Sequence, residues 1–350
     1  MDATTAPPAG AFAAIDRLMA RGTAFLGARY AIMGGAMSWV SERHLVAALS
    51  NAGAFGVIAC GAMEPDRLAQ EIAGTQGLTQ KPFGVNLITM HPRLEQLVDA
   101  CLEAKVGHIV FAGGIPPGSA IRRAKDSGAK VVCFAPALAL ARRLVRMGAD
   151  ALVIEGSEAG GHIGPVSLTV LAQEILPHVR EVPVFVAGGI GRGEAILSFL
   201  EMGAAGVQLG TRFVCATESI AHPKFKQAFI RAAARDAMPT VQLDERFPVI
   251  PVRALQNEGT KRFLEHQAAV LRRFVGGEVA KEAAQLEIEH FWAGALRRAV
   301  IDGDVEQGSL MAGQSVGMVS REQPAAEIVQ ELIVQAAAAW TARAGALVNA

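Results

Sequence analysis

The chain has 350 residues, 51% of them hydrophobic, and its 33 basic and 33 acidic side chains leave no net charge. That length allows one large α/β domain with an appendage, or two domains. No basic run exceeds Arg-Arg and no 18-residue apolar span is free of charges or turn glycines, so nucleic acid, an anionic membrane surface and a transmembrane helix are all excluded from expectation.

The first residues include Pro7, Pro8, Asp16 and Arg17 with no uninterrupted apolar stretch, which argues against a signal peptide and for a cytoplasmic protein. Beyond them one unit repeats: an amphipathic helix ends on a glycine and a short apolar strand follows. The instances begin at Gly53, Gly107, Gly128, Gly148 and Gly203. The glycine serves as a left-handed residue just past the helix, and the apolar run reads as a strand buried on both faces. Eight strands result: Tyr30–Met33, Val57–Ala59, Phe83–Leu87, Ile109–Phe111, Val131–Phe134, Ala151–Ile154, Pro183–Ala187 and Val207–Leu209. Helical stretches fall between them at 42–52, 65–73, 93–105, 118–127, 137–147, 168–179 and 193–202. Strict alternation demands a parallel sheet, and eight units over roughly 210 residues fit a closed (β/α)8 TIM barrel. An open doubly wound sheet is the alternative, weakened because Gly34-Gly-Ala-Met-Ser38 replaces a GxGxxG after the first strand.

After Phe213 the alternation stops. Residues 220–235 read as helix, 238–252 as irregular with strand character at Thr240–Leu243 and Pro248–Pro251, and 254–300 as helical. The organisation expected is an N-terminal extension (1–24), the barrel (25–225), a smaller, mainly helical lid over the C-terminal barrel face (226–300), and a return segment with a last helix starting near Pro324 (301–350).

The run Glu155-Gly-Ser-Glu-Ala-Gly-Gly-His162-Ile-Gly164 is the densest in chemistry. Its four glycines can lie flat against a ligand, because no Cβ holds the backbone away, and His162 is a candidate acid/base beside them. In such barrels phosphate sits on the loops after the seventh and eighth strands. Those loops are Ala187-Gly188-Gly189-Ile190-Gly191 and Gly210-Thr211-Arg212 here. Arg212 is either a phosphate partner or half of a rim salt bridge. Asn86 interrupts an apolar run, where its amide either meets a heterocycle edge or turns the chain. Glu155 ends the sixth strand and needs a partner there. The other histidines fit surface or core roles. The four cysteines (Cys60, Cys101, Cys133, Cys215) have no CxxC spacing and read as reduced core thiols. No HxH or HExxH appears, so no metal centre is expected.

These residues resemble the 2-nitropropane dioxygenase-like family of FMN-dependent TIM barrels, whose branches include nitronate monooxygenases and flavin-type enoyl-acyl carrier protein reductases. The resemblance runs from about residue 25 to 335 and rests on Gly35-Ala-Met37-Ser-Trp39, Lys81-Pro-Phe-Gly-Val-Asn86, the Glu155–Gly164 run, Ala187-Gly-Gly-Ile190, Gly210-Thr-Arg-Phe213 and Met311-Ala-Gly-Gln314. It implies that FMN lies along Gly35, Ala36, Met37, Asn86, Glu155, Gly160, Gly161, Met311, Gly313 and Gln314, with its phosphate on Ala187, Gly188, Gly189, Gly210 and Thr211. His162 would be the catalytic residue facing substrate over the flavin. The first loop, often Gln-Gly-Gly-Met in relatives, is Gly34-Gly-Ala-Met37 here. The implied activity is oxidation of alkyl nitronates by O2 to a carbonyl compound and nitrite. The alternatives are an NADH- or NADPH-dependent enoyl reductase acting on an enoyl thioester, with acyl carrier protein as partner, or a quinone-type flavin reductase. Thr217–Pro223 and Gly303–Met318 look especially like the enoyl-reductase branch. A homodimer is compatible with each.

Overall fold

The computed structural model describes residues 7–61, 63–247 and 249–348. Eight parallel strands form the centre: β1 (Ile32–Gly34), β2 (Val57–Ala59), β3 (Gly84–Ile88), β4 (His108–Ala112), β5 (Lys130–Phe134), β6 (Ala151–Glu155), then β8 (Val184–Ala187) and β9 (Gly206–Leu209), with β7 (Gly161–His162) lying outside the barrel. Their order is β1-β9-β8-β6-β5-β4-β3-β2. A parallel bridge between Met33 and Phe55 closes β1 onto the start of β2. The result is a TIM barrel, and the apolar runs are buried on both faces because helices cover the outside while packed side chains fill the inside.

The helices between the strands are α2 (Arg43–Asn51), α3 (Pro65–Leu78), α4 (Leu94–Glu103), α5 (Gly118–Asp126), α6 (Leu138–Met147), α7 (Leu168–Ile175) and α8 (Gly193–Glu201). Gly53, Gly128, Gly148 and Gly203 have positive φ, as a left-handed exit from a helix requires. Gly107 does not. After α4 the left-handed position is Lys105 (φ 54°), so the chain has already turned before it reaches the glycine.

An 18-residue amphipathic helix, α1 (Ala9–Leu26), occupies most of the N-terminal extension; residues 1–6 lie outside the described residues. It buries Ile15, Met19 and Leu26 against the barrel. At its end the carbonyl of Phe25 accepts from Lys130 Nζ and bonds His108 Nε2 (3.0 Å), which fastens the helix to the N-terminal ends of β4 and β5. Burial pushes the His108 imidazole down to about 4, so it is held neutral there.

Beyond β9 come α9 (Pro223–Arg231), β10 (Ala237–Pro239), β11 (Val252–Leu255), α10 (Glu258–Val275), α11 (Lys281–Val300), β12 (Leu310–Met311) and α12 (Ala325–Val348). Phe225 and Phe229 of α9, and Leu296, Ala299 and Val300 at the end of α11, join the barrel core. A second, smaller core holds Phe247, Val252, Phe263, Val270, Ile288 and Trp292. The small unit therefore does not coincide with one chain segment. Its sheet runs β10-β11-β12 and also takes in β7, which leaves the barrel after β6 to pair antiparallel with β11. The strand character expected at Thr240–Leu243 and Pro248–Pro251 is not there: the strands are the flanking Ala237–Pro239 and Val252–Leu255, and Pro248 lies outside the described residues. Among the described residues no helix is long and apolar enough to cross a membrane.

Candidate active site

The C-terminal ends of the barrel strands gather the residues singled out from sequence. After β1, Gly35 N–H donates to Leu209 C=O (2.8 Å), placing this loop against the end of β9. Ser41, which sequence reasoning missed, closes the loop: its hydroxyl donates to Gly35 C=O (2.8 Å) and accepts from Met37 N–H (3.0 Å). Trp39 takes a left-handed backbone (φ 67°), and its ring lies 5.8 Å beneath the guanidinium of Arg297 on α11. The end of α11 that packs on the barrel thus touches the first mouth loop.

Asn86 lies in the middle of β3, two residues before its end; it is buried, and its amide nitrogen donates to Val110 C=O (3.3 Å). Glu155, at the end of β6, is partly exposed and has no hydrogen-bond or ion-pair partner among the described residues. Burial alone pushes its carboxyl up to about 8, so at neutral pH it is mostly protonated and able to donate. With no protein partner, that carboxyl is open to a hydrogen bond from outside the polypeptide.

The loop from Glu155 to Gly164 is fixed at several points. Gly156 N–H donates to Ala187 C=O (2.9 Å), and Ser157 N–H to Val166 C=O (2.8 Å). The Glu158 carboxylate accepts from Leu168 N–H (2.9 Å) at the start of α7, where the helix dipole favours a negative charge. Gly160 and Gly313 then pack backbone to backbone: a Cβ on Gly160 would lie 2.5 Å from Gly313 N. That contact brings Met311, Gly313 and Gln314 beside the loop, and Gln314 N–H donates to Glu158 C=O (2.9 Å). Gly161 follows with φ 78°, and His162 stands exposed on β7 opposite Val252.

After β8, Gly188 (φ 99°) and Gly189 (φ 69°) both adopt conformations that side chains resist. Their N–H groups donate to no carbonyl among the described residues. After β9, Thr211 is buried and its hydroxyl accepts from Gly313 N–H (2.9 Å), tying the return segment to this loop. Arg212 turns away from the loops: it is buried and pairs with Glu331 on α12 at 3.0 Å. Of its two alternatives the salt bridge is the one present. All four cysteines are free and buried, and desolvation pushes the Cys60, Cys133 and Cys215 thiols up to about 12, so none is a nucleophile at neutral pH. Among the described residues no cluster of His, Cys, Asp and Glu could hold a metal ion.

The strand ends thus carry uncommitted backbone donors after β8 and an unpaired carboxyl on β6, with a buried amide in β3 and an exposed histidine on β7 beyond the loop. Such a set can hold an anion at one side and move a proton at the other.

Among known proteins, a family model described as nitronate monooxygenase matches residues 20–103 and 89–335. The chain is 36% identical to FabK from Thermotoga maritima, with a TM-score of 0.83 over 93% of this chain and 98% of that one. It is 28% identical to nitroalkane oxidase from Streptomyces ansochromogenes, with a TM-score of 0.75 over 91% and 99% of the two chains. It is also 29% identical to the (3aS,4S,5R,7aS)-5-hydroxy-7a-methyl-1-oxo-octahydro-1H-indene-4-carboxyl-CoA dehydrogenase of Mycobacterium tuberculosis, spanning 90% of this chain and 95% of that protein.

Proposed function

The chain belongs to the nitronate monooxygenase family and is an oxidoreductase, and we propose that it is an FMN-dependent one that oxidises alkyl nitronates with O2. The observation that carries this reading is the unpaired polar set at the mouth: Gly188 and Gly189 N–H groups uncommitted on one side, and Glu155 without a partner beside them. The fit to FMN is good in kind. Two glycine loops of backbone donors suit a phosphate, and the Thr211 hydroxyl, which accepts from Gly313, keeps its own proton to donate. Asn86 and the neutral Glu155 offer donors and acceptors to the polyol and ring edge, and the Gly35–Met37 loop and the 311–314 segment offer backbone to the remainder. When bound, FMN supplies the electron transfer.

The protein's own part is binding, orientation and one proton. His162 abstracts the α-proton from a neutral nitroalkane or, when cationic, steadies the nitronate oxygens. The small unit acts as a lid that excludes water, joined to the barrel through α11, which carries Trp292 in the small core and Leu296 in the barrel core. A second reading has its own support: FabK and the indene-carboxyl-CoA dehydrogenase are among the proteins this chain is similar to. On it, NADH or NADPH is the reductant and a carrier-bound acyl thioester the substrate, with His162 polarising the carbonyl or protonating the product. A cytoplasmic location and a small-molecule substrate suit both.

Anaerobic titration separates them. A yellow protein with a band near ~450 nm that is bleached by a nitronate and not by NADH or NADPH is the monooxygenase. The reverse pattern makes it a reductase, and bleaching by none of these contradicts both readings.

A further inference from the structure

Arg253 stands in an apolar strand, Val252–Leu255, and is buried to 7% exposure with no carboxylate in ion-pair contact among the described residues. A guanidinium in that position loses its water and gains only the more distant charge of Glu158, which does not offset the burial that pulls its pKa down. Its hydrogen bonds show what it does instead. Nε donates to Ser157 C=O (2.9 Å), in the loop that carries His162, and Nη1 donates to Ala237 C=O (2.6 Å) on β10. Its own carbonyl accepts from Ala312 N–H (3.3 Å) in the return segment, and its Cα is the register partner of Gly161.

One residue therefore bonds three segments distant in sequence, and two of those bonds come from a rigid planar fork whose directions are fixed. The need for such a clamp is local. β7 is two residues long, and a pairing that short does not hold its own register. Resting on the reading of His162 as the group that meets substrate, we propose that Arg253 is a positioning residue: it locks the Ser157–His162 loop to the small sheet, so that the placement of His162 and the seating of the small unit are one event.

The test uses flavin-loaded protein and the variants Arg253→Met and Arg253→Lys. Amide hydrogen exchange over 157–163 is expected to speed up by about tenfold or more in the methionine variant, with the barrel strands unchanged. Turnover is expected to fall about 10- to 100-fold, with KM moving much less and flavin content retained. Lysine keeps a donor for one of the two carbonyls and is expected to recover part of kcat. Unaltered exchange in 157–163, faster exchange with parental kcat, or equal kcat in the lysine and methionine variants would each overturn the proposal. A His162→Ala protein that turns over like the parent contradicts the function assigned above, while the exchange measurement still decides whether Arg253 anchors the loop.

Discussion

Gly160→Ala puts a single methyl group into the tightest backbone contact of the site. The new Cβ would lie 2.5 Å from Gly313 N and 2.6 Å from Ala312 C, where ordinary contact begins at 3.4 Å, so the two segments must part by about 0.9 Å (3.4 − 2.5). The return segment is held from its other side, because Gly313 N–H is bonded to Thr211 Oγ1 of the β9 loop at 2.9 Å. The displacement therefore falls on the 160–162 turn and carries His162 with it. A misplacement of roughly 1 Å costs on the order of 100-fold in rate, or about 2.7 kcal/mol of barrier. Overpacking adds about 1–3 kcal/mol of lost stability, which a chain of this size shows as a drop of a few degrees in Tm. Steady-state kinetics at saturating substrate, alongside a thermal melt, reads both. A folded Gly160→Ala protein with kcat within twofold of the parent would refute the claim that this contact sets the position of His162.

Three further outcomes are expected. His162→Ala should keep its flavin and lose most turnover, since imidazole handles the proton and not the cofactor; flavin lost in parallel, seen as bleached absorbance after gel filtration, would contradict that division. Gly189→Val should expel the flavin, because φ 69° strains a branched side chain and a Cβ there already stands 3.0 Å from Glu158 Cβ; unchanged flavin content rejects the phosphate site. Glu155 is held protonated in the flavin-free fold up to about 8, whereas in the unfolded chain it ionises near its ordinary 4.5. The folded state thus binds the extra proton between those values and loses stability as pH rises through them, levelling off above about 8. The Tm of flavin-free parent should fall across that window more steeply than that of Glu155→Gln, and parallel Tm-versus-pH curves would show that the carboxyl is not held neutral.

The barrel was legible because one device repeats: a helix stop and an apolar strand recur together, and both leave local marks in composition. Four of the five glycines read as helix exits carry the positive φ that the reading required. Local marks also explain the site loops, where Gly188, Gly189 and Gly160–Gly161 cluster as no purely structural turn needs. What stayed hidden depends on partners far away in the chain. Helix α1 is amphipathic, but its role at the barrel floor rests on His108 and Lys130, which reach Phe25 from more than eighty residues downstream. β7 is too short to show a strand pattern, and its partner β11 lies some ninety residues on. Arg253 gave a signal, a lone cation inside Pro251-Val-Arg-Ala-Leu255, that only burial turns into a question. Ser41 gave none, since a serine near a helix start is ordinary.

The most direct test of the account is the identity and amount of cofactor released when the purified, native protein is denatured. One FMN per chain in the parent, and almost none in Gly189→Val, is the predicted result. A colourless parent that takes up no added FMN, or one that binds FMN equally well with valine at position 189, would contradict the claim that a mononucleotide sits on the loops beyond β8 and β9.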